Sequence, residues 1–185
     1  MLTRNFDNIS VGYLTVLSEI TSPTEAQWMS GMPGLFKNIN GTIRKTTYYG
    51  ESGFSLFGSS SSADANVNLS SSSITVHPML LVGSGTEEET YYDYKIDIIN
   101  NLNVVGYRSA NVAYTAEACK YTTVKTFINN TDSDVTVNEI GLFSHLGSSA
   151  DILLYRKKLG QPVTLKANSG TATFKLEVDI PYNKP

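Results

Sequence analysis

Residues 173–180 alternate without an error: Phe174, Leu176, Val178 and Ile180 are apolar, while Thr173, Lys175, Glu177 and Asp179 are polar. A period of two gives an extended chain one dry face and one wet face, so the segment must be a β-strand laid against a core. Asn168-Ser169-Gly170 supplies the turn that leads the chain into it.

The same pattern extends upstream. Tyr121 to Ile128 predicts a strand, Asn129-Asn130-Thr131-Asp132 a turn, and Val135 with Val137 the start of the next strand. Between Val137 and the pair Ile140 and Leu142 the apolar parity slips by one, which a bulge near Asn138-Glu139 would restore. Ile152 to Tyr155 is continuously apolar and predicts a central strand. It is closed by the solvated basic end Arg156-Lys157-Lys158 and followed by Gly160. Gln161 to Leu165 predicts another strand, with Pro162 at its entry. Across these strands Glu139 is placed to pair with Arg156 and fix register, and Gly141 to let the backbone pass close to another strand. Tyr92, Tyr94, Ile96 and Ile98 alternate with Asp93, Lys95 and Asp97 as in a half-buried strand, although helical spacing also collects Tyr92, Ile96 and Ile99. Earlier strands are predicted at Tyr13 to Leu17, Ile43 to Tyr49, Phe54 to Phe57 and Ile74 to Val82, the last interrupted by Pro78. One helix is predicted, with Ser22 as its cap, Pro23 in its first turn, Glu25 returning a bond to the cap, and Gly31 as a stop. The fold class is therefore all-β, an antiparallel β-sandwich or jelly roll with at most one short N-terminal helix. Residues 1–40 read as an N-terminal arm that docks on a neighbour, and residues 41–185 as the sandwich.

Reaction chemistry finds little to work with. A formal net charge of -3 offers no broad attraction to phosphate backbones, so nucleic acid is not an expected partner. No apolar run reaches the roughly 18 residues of a membrane-spanning helix. Cys119 is the only cysteine, which excludes an internal disulfide, and with His77 and His145 it makes no adequate zinc set. Gly53-Phe54-Ser55-Leu56-Phe57-Gly58 has one residue too many for a nucleophile elbow. Gly83-Ser84-Gly85-Thr86 lacks the third glycine of a dinucleotide loop and the lysine of a triphosphate loop, and reads as a tight turn. Asp132-Ser133-Asp134 and Glu87-Glu88-Glu89 supply hard oxygens of the kind calcium uses, but without an EF-hand pattern. No catalytic residue, cofactor or metal is expected. The aromatic residues are the candidates for interaction: Trp28 and the pairs Tyr48-Tyr49 and Tyr91-Tyr92, since adjacent tyrosines in a strand face opposite sides and one of each pair must be outward.

Several segments carry a family resemblance. Leu81-Val82-Gly83-Ser84-Gly85-Thr86 followed by Asp93-Tyr94 resembles a "G-x-G-T…D-Y" segment of tailed-bacteriophage virion proteins. Phe127 to Thr131, Val135 to Leu142, Leu153 to Arg156, Gln161 to Thr164 and the final alternating strand are similar, in order and spacing, to the carboxy-terminal half of the same proteins. The resemblance spans roughly Ile74 to Ile180. The family pattern has a small or proline-containing stretch where this chain carries Glu87-Glu88-Glu89-Thr90-Tyr91. The resemblance implies a non-enzymatic structural protein of a phage particle, in a tail, collar, fibre-attachment or capsid-decorating position. Such a protein is made in the host cytoplasm and assembles in the virion with itself and other virion proteins. The runner-up expectation is a carbohydrate-binding module that engages a host-surface glycan through tyrosines and Asn/Asp loops.

Overall fold

The computed structural model describes residues 1–6, 22–32, 35–45, 79–145 and 151–181. The strands expected at Tyr13 to Leu17 and Phe54 to Phe57, the first half of the Ile74 to Val82 segment, the Gly53 to Gly58 segment weighed as a nucleophile elbow and His77 lie outside these residues, as do Tyr48 and Tyr49.

The fold is all-β and antiparallel. Helix α1 (Glu25–Met29) is followed by eight strands: β1 (Leu35–Lys37), β2 (Ile43–Lys45), β3 (Met79–Gly83), β4 (Asn103–Tyr114), β5 (Ala118–Asn129), β6 (Val135–His145), β7 (Asp151–Leu165) and β8 (Gly170–Pro181). They form a β1-β2 hairpin and two three-stranded sheets ordered β3-β6-β7 and β4-β5-β8. A short helical turn also begins at Arg4. The helix is capped two residues later than expected. Thr24 accepts from the Gln27 N–H and Gln27 returns a bond to the Thr24 N–H, so the T-x-x-Q box wins over Ser22. Gly31, at φ 82°, ends it.

The two large sheets share one apolar cluster. Leu80 and Val82 of β3, with Ile140 and Leu142 of β6, pack with Tyr121 and Phe127 of β5 and Phe174, Leu176 and Val178 of β8. The last strand behaves as its alternation requires: Phe174, Leu176 and Val178 are buried, and Thr173, Lys175, Glu177 and Asp179 point away from the core. The β3-β6-β7 sheet is covered on its other face as well. There Leu81, Phe143 and Leu153 join Ile96, with Ile39 and Ile98 packed against them. Burial on two faces explains why Leu80-Leu81-Val82 and Ile152-Leu153-Leu154 are unbroken apolar runs while β8 alternates.

Three strand expectations need correction. Strand β7 is continuous from Asp151 to Leu165 and does not break after Lys158. The bulge expected near Asn138-Glu139 is present: the register jumps from Glu139↔Lys158 to Val137↔Val163, leaving Asn138 unpaired on β6 and Leu159 to Pro162 unpaired on β7, where Pro162 needs no ladder partner, and Val137, Ile140 and Leu142 all reach the same apolar cluster. Residues 92–98 form no strand; the chain turns at Tyr91-Tyr92 and makes one isolated bridge, Gly83↔Ile98. Gly141 makes room for side chains, not backbone: a Cβ there would lie 2.7 Å from the Phe143 ring and 3.0 Å from Leu153 Cδ1.

Tyr121 sits at the centre of the shared cluster with 0% exposure. Burial pushes its phenol up to about 12, with a hydrogen bond to Thr123 acting in the opposite direction. In the unfolded chain a tyrosine ionises near pH 10, so above that pH the folded state holds a proton the unfolded state has lost. Stability should therefore fall as pH rises through 10 and level off beyond about 12, a loss on the order of 2–3 kcal/mol. Urea titrations between pH 8 and 12 should show a clearly larger loss in the wild type than in Tyr121→Phe, in which Tyr155, its phenol also raised by burial and by Glu89, still contributes.

Candidate functional site

Strand β3 ends at Gly83, and the chain leaves the sheet to return at Asp97. Backbone bonds close the base of this loop, from the Ser84 N–H to the Asp97 carbonyl (2.9 Å) and from the Ile99 N–H to the Val82 carbonyl (3.0 Å). A loop of this length needs partners beyond its own base to hold one shape. Those partners come from β6 and β7.

Glu139 is fully buried at 0% exposure. Its Oε1 accepts the N–H groups of Gly85 (3.0 Å) and Asp97 (2.9 Å), one from each limb of the loop. Its Oε2 accepts Nε of Arg156 at 2.7 Å. Arg156, 6% exposed, then reaches outward along the loop. Its Nη1 donates to Asp93 Oδ2 at 2.8 Å and to the Glu88 carbonyl at 3.4 Å, and its Nη2 to the Glu87 carbonyl at 3.0 Å. Burial works against the guanidinium charge, but the bonds and proximity of Asp93 and Glu139 together outweigh it, and its pKa is raised. Asp93 also accepts from Thr90 through both N–H and hydroxyl, at 2.8 Å each. Asn138 donates to the Ser84 carbonyl (2.7 Å), Lys158 pairs with Glu88, and the terminal amine pairs with Glu89 at 2.8 Å.

The two glycines of the loop are required by this carboxylate. A Cβ on Gly85 would lie 2.2 Å from Glu139 Oε1, and one on Gly83 2.7 Å from the same atom. Gly83-Ser84-Gly85-Thr86 thus serves as a seat for a buried glutamate. The expected Glu139 to Arg156 pairing is present, but Arg156 is a buried hub within β7, not the solvated strand end that its neighbours Lys157 and Lys158 made it resemble.

The tyrosine pair is placed differently from the strand expectation. Because Tyr91 and Tyr92 lie in a turn, their rings meet edge to face at 5.4 Å. The Arg4 guanidinium lies 4.5 Å from the Tyr91 ring centroid and 5.7 Å from that of Tyr92. Tyr92 remains 43% exposed. Trp28 is a core residue at 1% exposure, with its indole donating to Asn5 Oδ1 at 3.0 Å and Lys37 Nζ 5.3 Å from its ring, so it offers no outward face to a partner. Asn5 ties this corner together, since the same Oδ1 accepts the Lys37 N–H (2.8 Å) and its amide donates to the Lys37 carbonyl (2.8 Å). The first residues pack on their own chain: the Thr3 N–H bonds to the Leu154 carbonyl and Leu2 bridges Tyr155.

The loop walls a cleft of about 310 Å³, with Glu139 and Arg156 at its floor and Thr90, Tyr92, Tyr94 and Asp97 along its sides. The floor has little to offer as acid or base, since both oxygens of Glu139 already accept hydrogen bonds and Arg156 is shared among four acceptors. Among the described residues no three His, Cys, Asp or Glu side chains converge as a metal ion would need. Asp134, one of the hard-oxygen candidates, instead accepts from Lys166 and the Ala167 N–H, which hold its carboxyl below the ordinary range. No helix among the described residues is long and apolar enough to cross a membrane. Comparisons with protein-family models, curated proteins and solved structures find no match to this chain.

Proposed function

We propose that this chain is a non-enzymatic structural component of a bacteriophage particle, a β-sandwich that works through contacts with copies of itself and with other virion proteins. One observation carries the reading. The segments by which the sequence resembles such proteins, Leu81 to Thr86, Asp93-Tyr94, Val135 to Leu142 and Leu153 to Arg156, meet in one interlocked unit around Glu139 and Arg156. Their order along the chain is therefore a requirement of one fold, and the ionisable groups they bring together neutralise one another. Such a unit favours a rigid assembly element over a reactive site. Cryo-electron reconstruction of particles from a host expressing this chain should place it at symmetry-related positions. Particles that assemble without it, together with a purified chain that binds no particle protein, would contradict the proposal.

A receptor-glycan role is favoured by Tyr92, which is exposed at the side of a cleft that also presents Thr90 and Asp97. Glycan-array binding that is lost in Tyr92→Ala would support this second reading, and an array without signal would remove it.

A further inference from the structure

An unpaired strand edge is a template for another strand, and folded proteins guard their edges by shortness, cover or bulges. Two sheets ordered β3-β6-β7 and β4-β5-β8 have four edges. Strand β3 is short among the described residues, at five residues. Strand β7 is covered where Met1 to Thr3 run beside it, with the Arg156 N–H bonded to the Met1 carbonyl and the Thr3 N–H to the Leu154 carbonyl, both at 3.0 Å. Strand β4 is bulged twice, between Val104 and Gly106 and between Arg108 and Asn111. Among the described residues strand β8 has none of these protections. It pairs with β5 without a shift from Gly170 to Pro181, and among the described residues no strand pairs with its other side.

We infer that β8 is a self-association edge, at which two copies of this chain join antiparallel into one continuous six-stranded sheet. This rests on the self-assembly part of the function proposed above. The charges on the outer face of β8 select both the partner and the register. If both cores lie on the same side of the joined sheet, directly opposed residues must both face inward or both face outward, so the two-fold axis passes through a residue opposed to itself. Centring on Lys175 sets lysine against lysine, and centring on Glu177 sets glutamate against glutamate. Centring on Leu176 sets Lys175 against the partner's Glu177, Glu177 against the partner's Lys175, and Thr173 against the partner's Asp179. Lys175 and Glu177, 57% and 62% exposed, are paired along their own strand at 2.9 Å and are free to turn toward such partners. The Leu176-centred register joins nearly the whole strand with every opposed charge at these two positions matched.

Analytical ultracentrifugation of the full chain and two variants tests this. The wild type should dimerise. K175E and E177K should each place like charges opposite one another twice, weakening the dimer on the order of tenfold or more. Mixing the two variants restores both matches, because the paired glutamates of one chain then face the paired lysines of the other. The mixture should therefore form a heterodimer of near wild-type affinity, and that recovery also shows that both variants fold. A dimer unaffected by either single reversal would overturn the β8 register while leaving self-association through another surface standing. A wild type that stays monomeric at all concentrations would overturn the inference together with the self-assembly part of the proposed function.

Discussion

Replacing Glu139 with alanine is expected to lower the unfolding free energy by about 3–5 kcal/mol, the cost of leaving one member of a buried ion pair without the other. The loss has two sources. Arg156 keeps Asp93 at 2.8 Å but loses the carboxylate at its Nε, and the N–H groups of Gly85 and Asp97 lose their acceptor. Arg156→Met should cost a similar amount for the mirror reason. The double variant Glu139→Ala with Arg156→Met should cost clearly less than the two losses summed, because neither then leaves a buried charge alone. Urea unfolding of the four proteins completes the cycle. Additive losses would mean that the pair is not coupled.

The second large effect is expected at Phe127. This ring is 2% exposed within the cluster shared by the two large sheets, edge to face with Phe174 at 5.9 Å and 70°. Phe127→Ala should cost about 3–5 kcal/mol, combining lost transfer energy with a cavity that rigid flanking strands cannot close. The denaturation midpoint should fall with little change in slope. A loss below about 1 kcal/mol would mean that the two sheets do not pack closely at this point.

What could be read in the sequence follows from the range of the forces involved. Strand β8 was legible because its burial pattern is set by the period of the backbone and one flat core face. The Glu139 to Arg156 pair was legible because opposite charges on neighbouring strands reach each other across the ladder; they meet on the diagonal, Glu139 lying opposite Lys158 and Arg156 opposite Gly141. Residues 92–98 imitated a strand for a different reason. Asp93 faces Arg156 at 2.8 Å, Lys37 Nζ lies 4.3 Å from the Tyr94 ring, and Ile96 fills the second apolar cluster, so each side chain answers to a distant residue and the alternation is incidental. Arg156 was hidden beside Lys157 and Lys158, which lie outside the buried network. The glycines at Gly83 and Gly85 read as a turn because the side chain that requires them lies more than 50 residues away, at Glu139. Trp28 looked like a surface anchor because nothing near it in sequence announces Asn5, which satisfies its indole.

Amide hydrogen exchange at Gly85 and Asp97 tests most directly whether Glu139 and Arg156 lock the loop to the sheet. Both N–H groups belong to an otherwise irregular loop and should nevertheless exchange as slowly as core strand amides in the wild type, becoming fast in Glu139→Ala while the β5 amides stay protected. Fast exchange at both positions in the wild type would contradict the account.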